Sequence, residues 1–418
     1  MPTEPQPGTG RWLGIAREIA DRLCDEAYRY DGECTWMGTV QHGGGAQGAV
    51  TFSWETLGPD LYGGTGGVGL FLAEMYARTG QVRYRETACE ALRFGAARLD
   101  RIPARFRQGF YSGRVGVAFA LARGGGLLGE PALAHDAERE LDHRAADENE
   151  GILLDVISGA AGSIAPLLSL SRSLARDDLR ALAERLGERI IAAADQDASG
   201  WKWGDDATGF PSNRPLTGYG HGAAGIGLAL LELFAATGDG RYRDGGRESF
   251  RYENALFNPE RDNWPDFRYS ADAGDRGHFG VAWCLGAPGI GLSRLRAMHI
   301  DPATPQHRLD AEAALRTVRR RLASSADPGS EDFSLCHGWA GLGDFALLAG
   351  EALESAEARG LAEEIANRGA SANAGSPGRW HCGMQRGTHP SLMLGLAGIG
   401  HFYLRVADLT VPSLTLVH

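Results

Sequence analysis

The chain has 418 residues, 43% hydrophobic and 23% charged, which is a globular composition and not that of a disordered chain. A formal net charge of −11 argues against nucleic acid as the main partner and favours a neutral or cationic one. No stretch approaches the roughly 18 uninterrupted apolar residues of a membrane span, and the opening MPTEPQPGTGRW lacks the apolar core of a signal peptide, so a cytoplasmic location is expected. Six cysteines in such a chain read as buried thiols or metal ligands, not as a disulfide frame.

The first expected element is an outer helix over residues 11–30, preceding its inner partner; GAVTFSW (48–54) is the one candidate strand. From there the chain repeats. The 60 glycines are about twice the usual share, and they are not spread as in a linker. A Gly-x-x-Gly pair followed by an apolar run recurs at Gly64/Gly67, Gly113/Gly116, Gly159/Gly162, Gly222/Gly225, Gly286/Gly289, Gly338/Gly341 and Gly395/Gly398. Thr79 and Thr237 stand at the same offset from their first glycine, and an Arg-Tyr-Arg step follows each.

Each unit reads as two helices. The glycine pair opens a helix apolar on almost every side, such as 222–233, and glycine there lets neighbouring backbone approach closely. A Gly step stops it, and an amphipathic, charged helix follows, such as 83–99 or 177–194. Seven such units predict an all-α fold of about seven inner and seven outer helices. Inner helices this apolar favour closure into a ring over an open solenoid, which would leave one inner face wet. Closure gathers the seven glycine turns at one end, where helix N-termini offer free N–H groups to thiolates or other anions. The irregular segments 198–220 and 258–283 are expected to form a wall or lid there. The chain is read as one domain: residues 1–60 carry the first outer helix and a loop, 61–408 the repeat core and 409–418 a tail.

Chemistry-bearing residues sit just before the glycine pairs. Cys284 and Cys336 are each two residues before their first glycine, in adjacent repeats, and His337 follows directly. A closed ring brings equivalent positions together, making a Cys₂His set with one open position, the pattern of catalytic zinc. His221 occupies, in the fourth repeat, the register of His337 in the sixth, too far round the ring for an obvious fourth ligand. It is either an acid–base group at the same mouth or a cap on a helix start. Asp155, a carboxylate inside the apolar run LLDVISGAAG, needs a partner, and reads as a helix cap, an ion-pair partner or a catalytic group. Cys24, Cys34 and Cys89 are read as structural, whereas His381 and Cys382 either line the site or leave Cys382 a spare thiol.

WCLGAPGIGLSRL, LCHGWAGLGDFALL, GYGHGAAGIGLALLELFAATG and PSLMLGLAGIG resemble the lanthionine synthetase C-like cyclases, over nearly the whole chain from about Leu57. LGPDLYGGTGGVGLFLAEMYARTG, LLDVISGAAG and the closing VPSLTLV are most similar to the cyclase half of bifunctional class II lanthipeptide synthetases. The resemblance implies an α/α toroid with a zinc ion at one end, held by Cys284, Cys336 and His337, with His221 and Asp155 beside it. The implied reaction adds a cysteine thiol of a dehydrated precursor peptide to dehydroalanine or dehydrobutyrine, giving a thioether ring. Tyr219, Arg276 and His381 are the candidate substrate contacts. Some members carry an arginine four residues before the first zinc cysteine; here that position is Gly280, and Arg276 is the candidate substitute. No dehydratase half precedes the repeats, so a separate dehydratase partner or a fragment of a longer protein is expected. Addition of glutathione or another small thiol, a non-catalytic peptide-binding toroid, and, by fold analogy, an α/α-barrel glycosidase are the alternatives.

Overall fold

The computed structural model describes residues 9–42, 51–210, 212, 214–268, 277–326, 331–373, 380–383 and 387–418. Among them, two concentric rings of helices account for most of the chain. The inner ring is α2 (Thr65–Thr79), α4 (Arg114–Leu128), α6 (Ala160–Leu174), α9 (Ala223–Thr237), α11 (Ala287–Ile300), α13 (Trp339–Ala352) and α15 (Leu396–Ala407). The outer ring is α1 (Thr9–Asp25), α3 (Val82–Ala96), α5 (Pro131–Ala145), α7 (Asp177–Ala192), α10 (Gly240–Asn254), α12 (Gln306–Ser324) and α14 (Ala356–Asn373). One further short helix, α8 (Asp205–Thr208), belongs to neither. The expected seven and seven are therefore present.

The two rings differ as their sequences do. In α9 every residue from Ala223 to Leu233 is buried. In α7 burial falls on Leu179, Leu182, Ala183, Leu186 and Ile190, one stripe of an amphipathic helix. Gly80, Gly129 and Gly238 end their inner helices in the left-handed region, with φ of 66, 65 and 75°. A non-glycine residue adopts that backbone only at a cost.

The inner helices neighbour one another in chain order, and α15 returns to α2, where Gly400 lies against the ring of Phe71. Closure corrects one expectation. The N-terminal helix ends at Asp25, not near residue 30, and it covers α15 rather than the inner helix that follows it, with the Trp12 and Tyr403 rings 5.9 Å apart. The first outer helix thereby buries the outer face of the last inner one and closes the ring.

Strands are more numerous than expected. Asp31 and Gly32, both at positive φ (51 and 75°), turn β1 (Tyr28–Tyr30) onto β2 (Glu33–Thr35), an Asp-Gly hairpin that stops the helix early. Two more antiparallel pairs are β3 (Met37–His42) with β4 (Thr51–Thr56), and β5 (Asp195–Asp197) with β6 (Gly200–Lys202). The strand expected at 48–54 is met by β4 from Thr51; residues 48–50 lie outside the described residues.

The middle of the toroid holds the chain's own last segment. Leu414, Thr415 and Leu416 are buried; the Tyr111 hydroxyl donates to the Leu414 carbonyl and Trp283 Nε1 to that of Thr415, each at 2.9 Å. Asp344 fixes the segment from the side: it accepts from Ser413 (2.6 Å) and Thr415 (2.5 Å) and pairs with buried Arg405. Among the described residues no helix is long and apolar enough to cross a membrane.

Candidate metal centre and catalytic rim

The first glycine of every pair is the N-cap of an inner helix, so all seven glycine turns lie at one end of the toroid. The second glycine is required by close approach. A methyl group on Gly67 would overlap the carbonyl oxygen of Leu61, and one on Gly341 that of Leu335. The same relation, to the carbonyl three residues before the first glycine, holds in the other five repeats. Each turn is therefore wound tightly enough to present its backbone to the next.

A circuit of main-chain hydrogen bonds results. Its acceptor is always the residue two before the first glycine. Tyr62 N–H donates to Tyr111 (2.8 Å), Ser112 to Ile157 (2.9 Å), Ile157 to Gly220 (3.2 Å) and Gly220 to Cys284 (2.9 Å). Trp283 then donates to Cys336 (3.0 Å), Cys336 to Met393 (2.9 Å), and Met393 back to Tyr62 (2.9 Å). The circuit satisfies buried polar backbone and sets the register between repeats. It explains why like positions in neighbouring repeats converge.

Cys284 and Cys336 are consecutive acceptors in this circuit. One sulfur from each and one His337 nitrogen lie within 4.8 Å of one another, and this is the metal-ligand cluster found among the described residues. His337 Nε2 is 3.5 Å from Cys336 Sγ, and its Nδ1 is buried without a hydrogen-bond partner. Tyr62, from the first repeat, donates its hydroxyl to Cys336 Sγ at 2.9 Å. The neighbouring Cys336 thiol, and then the His337 and Arg268 cations, hold the Cys284 thiol well below its ordinary range against the effect of burial. Burial and the adjacent Cys284 push Cys336 the other way.

The other expected pair is also assembled. Asp155 is fully buried, and its carboxylate is hydrogen-bonded to His221 Nδ1. Its other oxygen accepts from Ser158 N–H at 2.9 Å, so the carboxylate caps its turn and holds the histidine at once. Asp60 caps the first turn in the same register, through Gly63 N–H at 2.7 Å. His221 Nε2 has no hydrogen-bond partner among the described residues, and a side chain at Gly220 would press on Cys284 Cβ at 3.0 Å. The histidine pair and the thiol pair are therefore neighbours on the rim.

The two irregular segments pack on each other above this rim. Thr217 donates to the Pro265 carbonyl, and Ser212 Oγ to that of Phe267 at 3.0 Å. They deliver two residues that the sequence reading passed over. The Phe210 ring lies 4.1 Å from the His221 imidazole, and the Arg268 guanidinium 5.9 Å from the Phe210 centroid. Burial lowers the pKa of Arg268, but the Cys284 thiolate and the Asp266 carboxylate outweigh it and raise the value overall. Neither residue carries a periodic signal. Tyr62 does, since it stands in the register of the two cysteines.

The remaining candidates are placed differently. Tyr219 is buried edge-on to Trp283 (5.5 Å) and borders a small internal cavity with Val417, below the turns. His381 contributes its carbonyl to Phe333 N–H at 2.9 Å, and neither it nor Cys382 belongs to the three-ligand group. Arg276 lies outside the described residues.

A closed double ring of seven helix pairs, with a thiol–imidazole cluster on the rim formed by the inner-helix N-termini, defines an α/α toroid. The fold recurs in solved structures: "Nisin cyclase" matches with a TM-score of 0.61 at 17% identity, over 98% of this chain and 94% of that one. The GH76A alpha-1,6-mannanase from Salegentibacter sp. HEL1_6 matches at 0.50 and 12% identity, over 96% and 100%. In sequence, residues 55–416 match the family model "Lanthionine synthetase C-like protein". The chain belongs to the lanthionine synthetase C-like family. It is 24% identical over 419 residues to the "Lacticin 481/lactococcin biosynthesis protein LcnDR2" of Lactococcus lactis subsp. lactis, covering 96% of this chain but only 41% of that relative's length.

Proposed function

We propose that the chain is a zinc-dependent lanthipeptide cyclase. Its substrate is a precursor peptide whose serines and threonines a dehydratase, acting separately, has already converted to dehydroalanine and dehydrobutyrine. The observation that carries this reading is the meeting on one rim of the Cys284–Cys336–His337 cluster and the Asp155–His221 pair.

The donor set suits zinc. Bonds of about 2.3 Å to sulfur and about 2.0 Å to nitrogen put tetrahedral ligand atoms roughly 3.5–4 Å apart, compatible with three atoms inside 4.8 Å. Two thiols and an imidazole exclude magnesium and calcium on softness, and His337 brings Nε2 to 3.5 Å from the Cys336 sulfur. Zinc, when bound, keeps an incoming thiol deprotonated and nucleophilic at neutral pH.

The protein groups supply the rest. As the peptide sulfur bonds to the β-carbon, the double-bond electrons move to the α-carbon and its carbonyl. His221 delivers a proton to the α-carbon from Nε2, while Asp155 holds Nδ1–H and so fixes the tautomer and the ring. The proton gained at carbon balances the one lost by the thiol, and the peptide mass does not change.

Two measurements test the reading. Purified protein contains about one zinc per chain, and Cys336→Ala lowers this without loss of helicity. A dehydrated, cysteine-containing peptide loses free-thiol labelling at constant mass. Zinc-free wild-type protein, purified without chelator, sinks the proposal; a mass gain equal to glutathione when that thiol is supplied selects small-thiol addition instead.

A further inference from the structure

The reaction proposed above builds negative charge on the carbonyl oxygen of the acceptor residue, and none of the residues assigned so far receives it. Arg268 is placed to do so. Its side chain is 14% exposed, and its hydrogen bonds among the described residues all leave from Nε, to the two carboxylate oxygens of Asp266 at 3.2 and 3.0 Å. The two terminal nitrogens have no hydrogen-bond partner among the described residues. Neither is among the buried atoms left without a partner, so the free end of the fork reaches solvent and is open to a substrate oxygen.

The surroundings say which way they serve. On one side the guanidinium lies over Phe210, whose ring packs on the His221 imidazole. On the other it is within electrostatic reach of Cys284 and Cys336. Arg268 thus links the group that protonates carbon to the place where sulfur enters. A planar fork of N–H donors is also the geometry suited to an oxyanion.

We propose that Arg268 is a catalytic residue whose terminal nitrogens donate to the acceptor's carbonyl oxygen and stabilise the enolate. The sulfur–carbon bond forms at the β-carbon, and the carbon–carbon π pair moves through the α-carbon onto that oxygen. The pair returns to the α-carbon as His221 protonates it, and nothing is oxidised or reduced. Phe210 is a positioning residue, a plate that keeps guanidinium and imidazole at fixed separation. The inference rests on the cyclase reading.

The test is steady-state cyclisation of a dehydrated peptide by wild type, Arg268→Gln and Arg268→Lys, with zinc content, the visible spectrum of cobalt-substituted protein and the melting temperature of each. A lost oxyanion donor costs about 10²-fold in kcat. Arg268→Gln is expected to show that loss with KM within about threefold of wild type, an unchanged cobalt spectrum and one zinc per chain. Arg268→Lys, which keeps one charged donor, is expected to recover part of it. Three results overturn the inference: Arg268→Gln as fast as wild type, a rise in KM with kcat preserved, or loss of metal and melting temperature in both variants. If wild type itself forms no ring, the cyclase reading falls and takes this inference with it; failure in the variants alone leaves that reading standing.

Discussion

Tyr62 in the first repeat donates its hydroxyl to the sulfur of Cys336 in the sixth, at 2.9 Å. The two residues occupy the same register before their glycines, and the main-chain circuit runs from Cys336 through Met393 to Tyr62. The hydrogen bond is therefore one repeat longer in reach than the Cys284–Cys336 contact. A donor to a metal-binding sulfur withdraws charge from it, and such partners tune the metal and orient its ligand.

Tyr62→Phe keeps the ring and deletes the donor. Cyclisation is expected to slow by about tenfold, with zinc still bound and the charge-transfer band of the cobalt-substituted protein displaced. A variant with both rate and band unmoved would show the hydroxyl to be idle.

Asp155 has two separable roles. Asp155→Asn keeps an oxygen for Ser158 N–H but no longer demands a proton on His221 Nδ1, so ring formation is expected to fall by about 10²–10⁴-fold. Asp155→Ala is expected to fall as far in rate and to lose about 1 kcal/mol of stability as well, the worth of a cap. Zinc content stays at wild-type level in both. Loss of zinc in the Asn variant would place Asp155 in support of the metal rather than of the histidine.

Much of this was legible because the determinants are steric and periodic. The second glycine of each pair cannot carry a side chain without striking a carbonyl, so the repeat marks itself in the sequence, and with it the inner-helix starts and the shared rim. Cys284, Cys336 and His337 could be grouped because equivalent positions in adjacent repeats must meet. Residues held by long-range packing could not. That α1 covers α15 follows from ring closure, not from local pattern. The hairpin at Asp31-Gly32 was signalled by its turn, yet its strands are three residues each and carry no clear alternation. Phe210 and Arg268 sit in irregular segments whose course only tertiary contacts decide.

The close approach at the sixth turn makes a direct test of the circuit. In Gly341→Ala the new methyl meets the Leu335 carbonyl, one residue before Cys336. Backbone must shift, at a cost of about 1–3 kcal/mol, and zinc content is expected to drop below one per chain. Gly14→Ala, inside α1 with open space around it, is the matched control and is expected to be neutral or to gain up to about 1 kcal/mol. Equal behaviour of the two, read by thermal unfolding and metal analysis, would refute the steric account.

Acid sensitivity should trace to α15. His401 is 1% exposed; burial, aided by Arg123, pushes its imidazole down to about 3. Above pH 6.5 the residue is neutral in both folded and unfolded chains and contributes no pH dependence. Below that value the unfolded chain takes up a proton that the folded chain refuses, so stability falls as pH falls, by about 1.4 kcal/mol per unit until the folded value is reached. Between pH 7 and pH 5 this amounts to about 2 kcal/mol from His401. His389, pushed down to about 4 by burial, contributes in the same direction over most of that window. Urea unfolding at pH 5, 6 and 7 should show His401→Gln losing markedly less stability than wild type on acidification. Parallel losses in the two proteins would clear His401 and leave the acid response to other groups.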